Sequence, residues 1–156
     1  MQLSTKGRYA VMAMADLAEQ GQEIALPLAM IAERQHISVA YLEQLFMKLR
    51  RAGLVKAMRG PKGGYILAKS PENISIAEIM SAADEAVRMN KCSIEGTDWC
   101  LGTKRCVTHD LWRALGDHIR EFLVTASLRD VLDGNFSRSA LKKAARTKFD
   151  ANLGAE

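Results

Sequence analysis

SVAYLEQLFMKLRRAGLVKAMRGPKGGYIL, residues 38–67, is the stretch from which the fold can be read. Ser38 is a good N-cap, and the residues after it run helically to about Ala52. Leu42, Leu45, Phe46 and Leu49 are spaced 3, 1 and 3, which sets them on one helical face. Ala40, Glu43, Gln44 and Met47 repeat that spacing on another face, with Lys48, Arg50 and Arg51 further along. Gly53 ends the helix. Leu54 to Met58 and Tyr65 to Leu67 then read as two short strands around Arg59-Gly60-Pro61-Lys62-Gly63-Gly64. Three glycines and a proline within six residues cannot be helix, so the tip is a hairpin turn carrying two cations.

Upstream, Tyr9 to Gln20 reads as a helix, with Ala10, Met14, Leu17 and Ala18 at helical spacing, and Gly21 ends it. Pro27 suits a first helical turn, and Leu28, Ile31 and Ala32 mark a second, short helix. His36-Ile37 makes a tight connection to the helix that Ser38 caps. Helix, short helix, turn, helix and hairpin is the order of a winged helix-turn-helix. The expected class is therefore mostly α with a small β-hairpin wing.

Downstream, Ser75 to about Asp84 reads as a further helix, and residues 90–107 lack periodicity and read as a loop. From Thr108, an N-cap candidate, Trp112, Leu115, Ile119 and Phe122 are spaced 3, 4 and 3. That is a narrow apolar seam of coiled-coil type, the expected dimer interface of a long C-terminal helix. Ser127 to Leu132 adds another turn or two. The expected organisation is a winged helix-turn-helix head at 1–70, a connecting helix at 71–91 and a ligand loop at 92–109. A dimerisation region at 108–134 and a mobile tail at 135–156 complete it.

The chain has 156 residues, 48% hydrophobic and 26% charged, a globular composition. It holds no apolar run near 18 residues and no cleavage-like pattern, so a cytoplasmic location without membrane contact is expected. Residues 1–69 carry ten Lys/Arg against five Asp/Glu, and residues 70–136 carry seven against eleven. A basic head beside an acidic middle fits a phosphate-binding unit attached to something else, though an ordinary basic surface gives the same count.

A recognition helix needs one apolar face to anchor it and an opposite face whose side chains meet base edges. Gln44 can bond adenine bidentately, and Glu43 can accept from cytosine N4. Lys48, Arg50 and Arg51 would meet phosphates, and Arg59 would enter a narrow minor groove. Ser38, Ala40 and Tyr41 at the helix start and Gly60 and Lys62 on the wing complete the candidate DNA-binding set. A solvated helix face and a plain hairpin turn are the competing readings, and the three features occurring together weigh against them.

The cysteines number three, all between 92 and 106, an odd count that argues against a disulfide framework. Cys92-x7-Cys100-x5-Cys106-x2-His109 is a Cys₃His donor set suited to tetrahedral zinc or to a two-iron cluster. Structural zinc sites usually contain a closely spaced Cys pair, which is missing here, so the wider spacing favours the cluster. A ferredoxin-type carrier normally uses four thiolates and needs no basic wing. A thiol oxidoreductase would want Cys-x-x-Cys or a nucleophile with a base, and neither is present. No enzyme activity is expected. His36 and His118 are isolated and read as structural or solvent-facing.

Together LSTKGRYAV, ISVAYLEQLFMKLRRAGLV, RGPKGGYIL and CVTHDLWRAL resemble the isc-type family of iron–sulfur cluster regulators, a likeness running from about residue 2 to 132. The resemblance implies a homodimeric winged helix-turn-helix repressor and activator that binds double-stranded DNA and carries a [2Fe–2S] cluster. It implies Cys92, Cys100, Cys106 and His109 as ligands, Glu43 and Gln44 as base contacts, and Arg59 in the minor groove. It also implies control of cluster-assembly genes and receipt of the cluster from the assembly machinery. Two features depart from the family pattern: Ala40 stands where serine is frequent, and seven residues separate Cys92 from Cys100. A nitric-oxide-sensing branch shares the three cysteines; Cys-x2-His favours the isc type.

Overall fold

The computed structural model describes residues 5–21, 24–85, 106–134 and 136. Cys92, Cys100 and the expected tail from 137 onward lie outside the described residues. Helix α1 spans Thr5–Glu19, α2 Leu28–Gln35 and α3 Val39–Arg51. Strands β1 (Val55–Met58) and β2 (Gly64–Leu67) follow, then a 3₁₀ turn at Pro71–Asn73 and α4 (Ile76–Ala82). Helices α5 (His109–Thr125) and α6 (Leu128–Leu132) complete the described order.

The turn between α2 and α3 is set by His36, a non-glycine residue in the left-handed region (φ 54°) that ends α2. Ser38 then caps α3, its hydroxyl accepting from the Tyr41 N–H at 3.3 Å. At the far end Gly53 takes φ 72°, which a side chain would strain, and the chain turns into β1. The strands pair antiparallel, Val55 opposite Leu67 and Met58 opposite Gly64. Leu26 exchanges two backbone hydrogen bonds with Tyr65, each 2.9 Å, and adds a third line to the hairpin. Gly64 is required there, because a Cβ would lie 2.4 Å from the Leu26 carbonyl carbon.

Leu42, Leu45, Phe46 and Leu49 are all buried, as their spacing predicts. The Phe46 ring meets Tyr65 of β2 edge-on with centroids 4.9 Å apart, so the wing and α3 hold a fixed relation. Ile74, Ile76, Ile79 and Met80 continue the same core, and Ala126 and Leu128 close it. The Leu128 N–H donates to the Ile74 carbonyl at 2.8 Å and the Ile76 N–H to the Ala126 carbonyl at 2.9 Å. These bonds fasten the end of α5 to the start of α4. Two capping boxes, Ser75 with Glu78 and Ser127 with Asp130, fix the helix starts on either side of the joint.

Helix α5 is different: none of its 17 residues is buried. At 1.5 Å per residue it runs about 25 Å. No described helix is long and apolar enough to cross a membrane.

Candidate nucleic-acid interface and metal ligands

Orientation of α3, the expected recognition helix, begins with a buried carboxylate. Asp16 of α1 is 3% exposed. Its carboxylate accepts from the Arg34 guanidinium (Oδ1 to Nη2 2.6 Å, Oδ2 to Nε 3.1 Å) and from Gln35 Nε2 at 3.1 Å. Two charge-assisted bonds plus a third donor satisfy the buried charge and clamp α2 to α1 just before the turn. The sequence reading gave Asp16 no role. Its position one turn after Ala13 and beside Leu17, on the apolar face, was the available signal.

With α2 clamped and the inner face of α3 buried, the outer face is left to solvent. Ala40, Glu43, Gln44, Met47, Arg50 and Arg51 are all exposed, so the expected base-reading pair and two cations share one open face. Ser38 is exposed and its hydroxyl acts as the cap. Tyr41 is half-buried, its ring edge-on to Tyr9 with centroids 5.9 Å apart. At the wing tip Arg59, Gly60 and Lys62 are exposed, and neither cation forms an ion pair with a described residue. A 2.8 Å bond from the Gly63 N–H to the Gly60 carbonyl tightens the tip.

Lys48 sits otherwise. Its ammonium donates to Asp84 Oδ2 at 2.6 Å, across 36 residues of sequence. Asp84 adopts φ 56° just past the end of α4. The bond from Lys48, then its charge and that of Lys6, hold the Asp84 carboxyl below its usual range. Among the cations expected to meet phosphate, Lys48 is thus already neutralised by a carboxylate. Spacing could not reveal this partner.

The donor set begins at the start of α5. Cys106 and His109 are both half-buried, with the His109 N–H donating to the Cys106 carbonyl at 3.0 Å. Cys106 is a free cysteine three residues before the first residue of α5, and its sulfur is a soft donor. An imidazole one helical turn away adds a nitrogen donor. Soft sulfur and borderline nitrogen together fit iron–sulfur or zinc ligation. Among the described residues no group of three or more His, Cys, Asp or Glu gathers to hold an ion. Thr108 stands at the expected N-cap position, but its side chain makes no capping bond. Its Oγ1 lies 3.6 Å from Cys106 Sγ and 3.2 Å from Trp112 Nε1.

The expected seam is solvent-facing on the isolated chain. Trp112, Leu115 and Phe122 are 42%, 38% and 37% exposed, and Ile119 is half-buried. Leu111 and Val124, which the seam does not include, are also exposed.

Residues 3–134 match the Rrf2 family, described as iron-dependent transcriptional regulators. The chain is 50% identical over 133 residues to the HTH-type transcriptional regulator IscR of Photorhabdus laumondii, covering 85% of this chain and 80% of that one. It is 51% identical over 135 residues to the IscR of Aliivibrio salmonicida, covering 86% and 79%. Among solved structures, T. potens IscR aligns with a TM-score of 0.69 at 39% identity, over 86% of this chain and 88% of that one. CymR, the global cysteine regulator of B. subtilis, aligns with a TM-score of 0.72 at 32% identity, over 85% and 97%. The IscR relatives are transcriptional regulators and not enzymes, and the family match over residues 3–134 takes in α3, the hairpin and α5 alike. The chain belongs to the Rrf2 family of transcriptional regulators.

Proposed function

We propose that this regulator acts as a homodimer in the cytoplasm, carries a [2Fe–2S] cluster on Cys92, Cys100, Cys106 and His109, and represses genes of iron–sulfur cluster assembly. Activation at other promoters and receipt of the cluster from the assembly machinery belong to the same reading. The observation that carries it is the pairing of two features in one chain. An open α3 face presents Glu43 and Gln44 beside a cationic wing, and Cys106 and His109 stand together at the start of α5.

When bound, the cluster would supply redox-active iron whose presence reports the supply of assembled centres. The protein's own residues give that report a route. His109 opens α5 with Cys106 three residues before it, and Ala126, the C-cap of α5, is bonded to the start of α4. Asp84, just past α4, holds Lys48 on the reading helix and lies eight residues before Cys92. Ligation by Cys106 and His109 is thus coupled to α3 through α4 and Asp84, and the cluster-bound and cluster-free proteins are the two states.

On DNA, Gln44 reads adenine, Glu43 accepts from cytosine N4, and Arg50, Arg51, Lys62 and the Gly60 backbone fix register on phosphate, with Ser38, Ala40 and Tyr41 at the helix start. Arg59 enters the minor groove. A two-fold dimer through Trp112, Leu115, Ile119 and Phe122 calls for a near-palindromic operator.

The test is protein purified without oxygen, assayed for metal and sulfide and then titrated on DNA with and without its cluster. About two irons and two sulfides per chain are expected. One zinc per chain and no colour would falsify the cluster and leave a zinc-stabilised regulator. In the titrations, Glu43→Ala should let cluster-free protein bind sites it otherwise rejects. Its carboxylate is repelled by phosphate wherever no base donor meets it, a discrimination of roughly 1–3 kcal/mol. Equal weakening at every site would make Glu43 an ordinary contact. Both arms are run at one salt concentration, since salt alone changes affinity steeply.

A further inference from the structure

Thr108 occupies an N-cap position without capping. Threonine at such a site ordinarily accepts from a backbone N–H of the first turn, yet no such bond forms here. Its hydroxyl oxygen is instead the acceptor for the Trp112 indole N–H at 3.2 Å. An indole N–H can only donate, so that contact has one direction. With its oxygen engaged by Trp112, the hydroxyl keeps its own proton for another acceptor. The neighbour on that side is Cys106 Sγ at 3.6 Å, an ordinary separation for a hydrogen bond to sulfur. A ligating thiolate has no proton to give, so the proton between the two atoms belongs to Thr108.

We propose that the Thr108 hydroxyl donates a hydrogen bond to the Cys106 sulfur, oriented by Trp112, and that this pair sets the reduction potential of the cluster. The proposal rests on the reading of Cys106 as a cluster ligand. Hydrogen bonds to ligand sulfur are among the features that tune such potentials. The sign follows from charge. Reduction adds an electron that is shared onto the sulfurs, and a donor aimed at one of them stabilises the reduced form more than the oxidised. Thr108 therefore raises the potential, and removing its hydroxyl lowers it. Thr108 and Trp112 are positioning residues here: the iron is held by other side chains.

Thr108→Val keeps the shape, removes the hydroxyl and sacrifices no helix cap, since none is made. The cluster-bearing dimer is titrated with dithionite and redox mediators while visible absorption follows the one-electron reduction. The reduction equilibrium constant should fall on the order of tenfold in Thr108→Val, about 59 mV for one electron. Thr108→Ser should restore the wild-type value. Trp112→Phe keeps an aromatic ring in the seam but lacks the N–H, so the hydroxyl can rotate away. It should lower the potential in the same direction and by less. Iron and sulfide are counted in every sample. A fully loaded Thr108→Val protein with the wild-type potential overturns this inference and leaves the cluster reading intact. Wild-type protein without iron and sulfide overturns the cluster reading itself. Should Thr108→Val fail to retain a cluster, Trp112→Phe decides: an unchanged potential there overturns the proposal.

Discussion

Along α3, Leu42, Leu45, Phe46 and Leu49 are buried within the chain, and the polar side of the helix is left to solvent. Along α5, no residue is buried, and Trp112, Leu115 and Phe122 lie open although they repeat at seam spacing. Both helices are amphipathic, and among the described residues only the apolar face of α3 is buried. The face that α3 leaves open is consequently its polar one, with the core behind it. On α5 the open face is apolar, and Trp112, Leu115 and Phe122 stay exposed there although the Phe136 ring lies 6.1 Å from that of Phe122. Exposed apolar stripes of this kind mark protein interaction sites, and a stripe of 3, 4, 3 spacing suits another helix of the same kind.

The sharpest way to break that contrast is to damage one face of each helix. Phe46→Ala empties a fully buried site and should cost about 3–5 kcal/mol of folding stability. That loss should be independent of protein concentration once the protein is made monomeric. Ile119→Asp should leave the monomer folded and separate the subunits, because it sets a charge into the expected seam. Sedimentation and denaturant titration at several concentrations distinguish the two. A dimer of unchanged self-affinity in Ile119→Asp would put the interface elsewhere. Equal destabilisation of the monomer would mean that α5 is part of the folded core after all.

A smaller effect sharpens the account of why the polar face of α3 is rigid. Asp16→Ala removes the carboxylate that holds Arg34 and Gln35. The Arg34 side chain is 35% exposed, so once released it recovers much of its hydration. The expected loss is about 2 kcal/mol, below the range for breaking a wholly buried pair. DNA affinity should fall further than this stability loss predicts, since α2 sets the angle at which α3 is presented. An affinity loss no larger than the unfolded fraction would reduce Asp16 to a stability element.

What the sequence made legible follows the same division. Periodicity identified α3 and α5, and the glycine- and proline-rich turn the hairpin, because each states its pattern locally, within a few turns or residues. The cap at Ser38 was readable for the same reason, although Thr108 shows that a cap residue can be diverted by its neighbours. The 3₁₀ turn at Pro71–Asn73 carried no periodic signal in so short a run. Contacts joining distant positions were not legible: Asp84 with Lys48, Leu128 with Ile74, and Arg129 with Glu72. Nothing in the spacing of one segment names its partner in another. The core beneath α6 depends on such contacts, and so does the state of Lys48.

The least costly perturbation tests that state directly. A lysine on the outer part of α3 is expected from its sequence position to meet phosphate, yet Lys48 donates to Asp84 at 2.6 Å. The Asp84 carboxyl is held below its usual range, first by that bond and then by the charges of Lys48 and Lys6. A depressed carboxyl contributes above its unfolded pKa and loses its contribution as pH falls through the folded value. At any pH suited to DNA titration the pair is therefore intact, and substitution, not pH, has to release it. Each phosphate contact changes the slope of log affinity against log salt by about 0.9. If Asp84 keeps Lys48 in the complex, Lys48→Ala alone should leave that slope unchanged. Asp84→Ala should steepen it by about 0.9 per protomer, and adding Lys48→Ala should return it to the wild-type value. Between 50 and 200 mM salt that is about a threefold difference in affinity per protomer. A slope that already falls by 0.9 in Lys48→Ala would show that Lys48 abandons Asp84 when DNA arrives. The pair would then be a resting contact exchanged for phosphate, and Asp84→Ala should raise affinity without changing the slope.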